Sequence, residues 1–229
     1  GVRLELSDAE LAWDNGTSLL KHVSFTVSDQ ELCIVVGATG SGKSGLLSAI
    51  IGELEPQSGR LATRGSIAYV SQVAWIQNAS LRDNVLFGQP DPLPGSPEER
   101  RYYEILDACA LLDDLKVLPD GEQTEIGEKG INLSGGQKAR VGLARAVYAD
   151  RDVILLDDVL AAVDAHVGKR LFEKCVVGYL ARACGKTVVL VTNQLDRLPA
   201  VDSVVVMHDG RVVEHGPCEE LRAKGAGNA

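Results

Sequence analysis

The stretch GATGSGKS, Gly37 to Ser44, constrains this chain more than any other. A glycine, four residues, then Gly-Lys-Ser is the spacing of a phosphate-binding loop, the P-loop. Leu32-Cys33-Ile34-Val35-Val36 precedes it as a short apolar run that reads as a buried strand. Leu46, Leu47, Ile50 and Ile51 follow at helical spacing. Strand, loop and helix together predict an α/β chain. Glycines let backbone N–H groups wrap closely around phosphate oxygens. The helix N-terminus adds unsatisfied donors and partial positive charge. Lys43 can reach the β- and γ-phosphates, and the Ser44 hydroxyl can ligate Mg²⁺. The candidate nucleotide contacts are Gly37, Ala38, Thr39, Gly40, Ser41, Gly42, Lys43, Ser44 and Gly45.

The bulk properties narrow the partners. A chain of 229 residues suits one large domain, or two lobes sharing a core. The formal net charge of −9 argues against nucleic acid or an anionic membrane surface as the main partner. No apolar run approaches the ~20 residues needed to span a bilayer. Five cysteines are scattered without metal-binding spacing, so reduced thiols in a cytosolic compartment are expected.

Along the chain, residues 2–13 alternate as two short strands, or one with a turn at Ser7-Asp8. Together with Leu20 to Val27 they predict a small antiparallel sheet ahead of the nucleotide core. Trp13 can stack on an adenine face or serve as a core or interface tryptophan. Glu55 to Gly59 reads as a turn, followed by strands at Leu61 and Ile67–Val70. Gln72 follows the second strand, where ligands bind in α/β sheets, and its amide can touch Mg²⁺ or a water near the γ-phosphate. Ser80 caps a helix that stops at Gly88, and helical spacing resumes over Glu98–Leu112. Residues 113–131 are polar and glycine-punctuated. Roughly 75–150 therefore reads as a helical insertion between core strands.

Leu133-Ser134-Gly135-Gly136-Gln137 then opens another helix. Ser134 and Gln137 have the spacing of a capping box, which makes a second anion-ready helix N-terminus. It is an ordinary capped helix start, a site for another ligand, or a surface facing another subunit's nucleotide. Val153-Ile154-Leu155-Leu156-Asp157 is an apolar strand delivering a carboxylate to Mg²⁺. Asp158 follows, and Asp164 precedes a further helix. Thr187–Val191 is another buried strand, ending at Thr192-Asn193. Asp209-Gly210 joins a hairpin, and a short helix is expected over Glu219–Ala223.

These motifs occur in one order over nearly the whole chain, and they closely resemble the nucleotide-binding domain of ABC transporters. LSGGQ at 133–137 with GATGSGKS at 37–44 is a highly specific combination. The resemblance implies a P-loop NTPase core with an antiparallel β-subdomain and an α-helical subdomain. Residues 1–229 would form one domain, with 1–74 and 151–229 as core plus β-subdomain and 75–150 as helical subdomain. ATP and Mg²⁺ would be its ligands, with Ser44, Gln72 and Asp157 at the metal. In this family two such domains pair head-to-tail. Ser134, Gly135, Gly136, Gln137 and Asp164 would then face the partner's nucleotide, and Trp13 would stack on adenine.

The finer resemblance is to the first nucleotide-binding domain of subfamily C, the multidrug-resistance-associated type. It is carried by Ile67–Asn78, Ser80–Gly88 and Gly127–Gln137. It implies a second nucleotide-binding domain and transmembrane domains in the same protein, on the cytoplasmic face of a membrane, with the excised domain soluble. The surface toward the membrane helices should lie near Gln72 and the helical insertion. Two positions depart from the general family pattern. Asp158 stands where a catalytic domain has Glu, and Asn193 stands where a switch His is expected. Asp is one methylene shorter, and a neutral amide carries no positive charge. With Gln72, they are the catalytic candidates, and they imply weak or absent hydrolysis. A channel-associated nucleotide sensor and a soluble ABC ATPase are the alternative readings.

Overall fold

The computed structural model describes residues 1–194 and 200–221. Its centre is a six-stranded sheet. In chain order the sheet contains β3 (Leu32–Gly37), β5 (Ile67–Val70), β8 (Val153–Asp157), β9 (Thr187–Val191), β10 (Ser203–His208) and β11 (Arg211–Pro217). The spatial order is β11-β10-β3-β9-β8-β5. All neighbours are parallel except the β10–β11 hairpin. β3, β8 and β9 are buried along nearly their whole length, which explains why each reads as a continuous apolar run.

The strand period of two splits these residues between two cores. Leu32, Ile34 and Val36 of β3 join Ile154 and Leu156 of β8 on one face. That face is covered by α3 (Pro97–Ala108), α5 (Gly135–Tyr148) and the helix that starts with α6 (Ala165–Arg170). α6 continues into a π-helical stretch, Leu171–Ala183, closed by a bond from the Cys184 N–H to the Tyr179 carbonyl. Cys33 and Val35 face the other way, with Leu155, Val189 and Val205. There they meet α1 (Lys43–Ile51) and a three-stranded antiparallel sheet ordered β2 (Ser18–Ser28), β1 (Val2–Ala12), β4 (Glu55–Thr63).

The antiparallel sheet departs from the sequence reading in two places. Residues 2–12 form one strand, and Ser7-Asp8 is a bulge within it rather than a turn. Glu55–Gly59, expected as a turn, is the first half of β4. Pro56 is tolerated because β4 lies at the sheet edge. Gly59, at φ 71°, sits where a side chain would collide with the Asp8 carbonyl across the bulge, so glycine lets the pairing continue.

Between β5 and β8 come a short ribbon, β6 (Ala79–Ser80) with β7 (Glu125–Ile126), and helices α2 (Leu81–Leu86), α3, α4 (Leu112–Val117) and α5. Ser80 caps α2 by accepting from the Asp83 N–H, as expected. The helix expected over Glu98–Leu112 instead ends at Ala108. Ala110 takes a left-handed φ of 55° and turns the chain into α4, inside the stretch read as merely polar. Among the described residues no helix is long and apolar enough to cross a membrane. The last described residue is Leu221, so the end of the helix expected over Glu219–Ala223 lies outside the described residues.

Candidate functional site

β3 delivers the glycine loop to the C-terminal edge of the parallel sheet, and α1 begins at Lys43 with Gly42 as its N-cap. Gly42 has φ 101°, a conformation that a side chain resists, so the loop turns without blocking its own N–H groups. Lys43 Nζ donates to the carbonyls of Gly37 and Ala38 at 2.7 and 2.9 Å. The ammonium is thus folded across the loop that it closes. The Ser41 hydroxyl is buried and has no hydrogen-bond partner among the described residues.

β8 brings Asp157 beside α1. The Ser44 hydroxyl donates to Asp157 Oδ1 at 3.0 Å, and the Tyr69 hydroxyl donates to Oδ2 at 3.3 Å. Burial, and then the Asp157 charge, push the Tyr69 hydroxyl up to about 12, so tyrosine stays a donor. Tyr69 was invisible as a site residue in the sequence, where it read only as one member of a strand. Asp157 is 3% exposed, and Ser44 and Tyr69 satisfy both of its oxygens. The oxygens of Ser44 and Asp157 are the kind of ligand that a hard divalent cation prefers, and they lie side by side.

Asp158 turns away from the strand at φ 50°, a conformation that Asp tolerates better than most residues. Its N–H donates to the Val191 carbonyl at 3.0 Å, which ties the end of β8 to the end of β9. Asn193 lies two residues past that end. Burial, and then neighbouring Asp157, raise the Asp158 carboxyl above the ordinary range, partly offset by Lys43.

One cavity of about 270 Å³ is lined by Thr39, Gly40, Gly42, Lys43, Ser44, Gly45, Gln72, Asp158 and Asn193, with Leu19 as an apolar wall. The loop, the glutamine and the two departing residues, scattered over 150 positions of sequence, therefore meet in one place. Leu19 carried no sequence signal, since the strand expected from the sequence starts at Leu20 and the structure extends it back to Ser18. Trp13 stands apart from this lining. It follows β1, is 39% exposed, and sits at a turn closed by the bond from its N–H to the Thr17 carbonyl.

The second helix N-terminus makes a separate cavity. Ser134 accepts from the Gln137 N–H, while Gln137 Oε1 accepts from the Ser134 N–H, so the capping box is complete. Ser134, Gly135, Gly136 and Arg140 of α5 line it opposite Ala162, Val163, Asp164 and Val167. Asp164 caps α6 by accepting from the His166 and Val167 N–H groups, both at 3.0 Å. Those bonds, the one from Val167 first, hold its carboxyl below the ordinary range. The two linings share no residue. Arg140 was missed by the sequence reading. Its only signal was its position four residues after Gly136, one helical turn along.

A third cavity, about 220 Å³, opens between β5 and α5. Trp75, Phe87 and Arg145 stand at it, with the Arg145 guanidinium 4.4 Å from the Trp75 ring centre and 4.9 Å from that of Phe87.

Comparison with known proteins agrees with this geometry. The family described as ABC transporter matches residues 20–161. ABC transporter C family member 12 of Dictyostelium discoideum is 52% identical over 202 residues, 88% of this chain and 15% of that protein. ATP-binding cassette sub-family C member 2 of Mus musculus is 48% identical over 222 residues, and the Homo sapiens protein of that name 47%, each over 96% of this chain. The chain thus spans about one seventh of the length of these relatives, 14–15%. The chain belongs to the ABC transporter family and is a nucleotide-binding domain of its subfamily C.

Proposed function

We propose that this domain binds MgATP at its own P-loop, hydrolyses it slowly or not at all, and lends its signature helix to a partner domain. The observation that carries the reading is the single cavity in which Lys43, Ser44 and Gln72 meet Asp158 and Asn193. Binding parts are complete there, whereas the two parts that act on water and on developing charge are substituted.

The binding half follows from what the loop lacks. Lys43 turns two of its three N–H donors onto its own loop carbonyls, and the buried Ser41 hydroxyl has no partner among the described residues. A triphosphate offers acceptors to both. Ser44 and Asp157 would hold Mg²⁺, with Gln72 at its outer side. When bound, Mg²⁺ supplies charge neutralisation between the β- and γ-phosphates. Trp13, beside the start of β2, is the adenine contact in this reading.

The chemical half follows from two side chains. Asp158 is anchored through its own backbone to Val191, so it cannot advance to replace the missing methylene. A displacement of about 1 Å in such a group costs on the order of 100-fold in rate. Asn193 can donate a hydrogen bond to a phosphate oxygen but brings no charge to the transition state.

Ser134, Gly135 and Gly136 form an anion site that shares no residue with the P-loop cavity. In a head-to-tail pair they, with Asp164, would close over the partner's ATP, and Gln137 would serve that surface by holding the Ser134 cap. We assign the Trp75–Phe87–Arg145 cavity, next to Gln72, to transmembrane helices of the same protein. ATP-dependent export is the activity that this arrangement would serve, at the cytoplasmic face of a membrane. Residues 1–229 are read as one domain with 75–150 as its helical part.

The test is equilibrium binding of ATP with and without Mg²⁺. Wild type should bind MgATP, Lys43→Ala should lose at least about tenfold in affinity, and Asp157→Asn should lose the Mg²⁺ dependence. Equal affinity in wild type and Lys43→Ala would end the reading.

A further inference from the structure

Beyond the motif residues, one carboxylate on α4 grips two side chains in the first turns of α5. Asp114, on α4, is 13% exposed at its side chain. Its Oδ1 accepts from Gln137 Nε2 at 2.9 Å and from Arg140 Nη2 at 3.2 Å, and its Oδ2 accepts from Arg140 Nη1. Arg140 also donates to the Ala110 carbonyl at the α3–α4 corner, and through Nε to the Gly136 carbonyl at 3.3 Å.

Gln137 has one amide with two ends, and each end has a separate task. Oε1 closes the capping box on the Ser134 N–H. Nε2 is held by Asp114. Without that second bond the amide can rotate, and the cap would no longer be held in one orientation. Arg140 makes a parallel connection, since one guanidinium touches Asp114, Ala110 and Gly136. The planar fork of Arg suits such a bidentate grip. The direction in which Ser134, Gly135 and Gly136 point is therefore referred to α4 rather than to α5 alone.

We infer that Asp114 is a positioning residue: through Gln137 and Arg140 it fixes the N-terminus of α5 in the orientation that meets the phosphates of a partner's nucleotide. It touches no nucleotide itself. The inference rests on the reading of Ser134–Gly136 as a surface for the partner's ATP, given above.

The experiment uses the intact protein that carries this chain and follows ATP turnover at the partner site beside ATP affinity at this domain's own P-loop. Gln137→Glu keeps an acceptor for the cap but places a carboxylate against Asp114. Turnover at the partner site should fall at least about tenfold, with own-site affinity unchanged. Adding Asp114→Asn should restore most of it, because the new amide at 114 can donate to the new carboxylate at 137. Asp114→Ala should lose turnover to a similar degree. A purely structural role would not give recovery from two changes that each remove a native bond. Ser134→Arg serves as the block on the signature surface. Turnover unaffected by Ser134→Arg would overturn the trans reading, and this inference with it. Turnover abolished by Ser134→Arg, but left within twofold by Gln137→Glu or not recovered by the double variant, would overturn the role of Asp114 alone.

Discussion

Arg82 should carry far more of the stability of the helical insertion than its surface-like sequence context suggests. Its side chain is 8% exposed and makes two ion pairs at 2.7 Å, to Asp91 and to Glu122, with its guanidinium 4.7 Å from the centre of the Tyr102 ring. The two pairs are equal in length and unequal in worth. Asp91 is 71% exposed, so water screens that pair and its share is about 0.5 kcal/mol or less. Glu122 is 19% exposed, and removing its cation leaves a mostly buried charge, which typically costs about 3–5 kcal/mol. The Tyr103 hydroxyl still donates to Glu122 at 3.3 Å, which favours the low end of that range. Arg82→Met replaces the guanidinium beside Tyr102 with an apolar thioether and should therefore cost about 3 kcal/mol. Urea unfolding of the nucleotide-free chain, followed by circular dichroism, reads this as a midpoint lowered by about 1 M or more. Asp91→Ala should shift the midpoint by only a small fraction of that. Equal losses for Asp91→Ala and Arg82→Met, or less than about 1 kcal/mol for the latter, would refute the reasoning from burial.

Three further outcomes are expected. Leu106→Ala, at a fully buried position where α3 packs on the main core, should cost about 2–5 kcal/mol in the same urea assay, with MgATP affinity preserved. Ser134→Ala removes the cap of α5 and should cost about 1 kcal/mol, again without weakening ATP binding at the P-loop, because the two cavities are separate. Asp164 gives a pH signature. Its carboxyl is held low in the folded chain, so its contribution is present above the ordinary carboxylate range and is lost as pH falls through the folded value. Asp164→Asn, which still caps but does not titrate, should match wild type near neutrality and overtake it in thermal melts below about pH 4.

Much of the fold was legible because its signals are local. β3, β8 and β9 are buried on both faces and so appear as unbroken apolar runs, and the N-cap serines Ser80 and Ser134 announce helices in a few letters. What failed depended on distant partners. Glu55–Gly59 has turn composition, yet it extends because β1 offers a bulged edge at Asp8 to pair with. The break between α3 and α4 comes from one left-handed residue, Ala110, whose type does not signal it. At the site, the motifs gave the phosphate loop and Asp157, and the fold then placed Gln72, Asp158 and Asn193 beside them. Asp114 and Tyr69 were illegible because each acts only through a hydrogen bond to a residue far along the chain.

The central claim is that this site binds ATP and lacks the chemistry to consume it. Single-turnover hydrolysis at this site alone tests it most directly, in the intact protein with the partner's own phosphate loop disabled. Wild type should retain bound ATP with negligible cleavage, while Asp158→Glu/Asn193→His should gain at least about tenfold in rate at similar affinity. Cleavage by wild type as fast as by the double variant would contradict the claim, because the shorter carboxylate and the uncharged amide would then not be what limits the reaction.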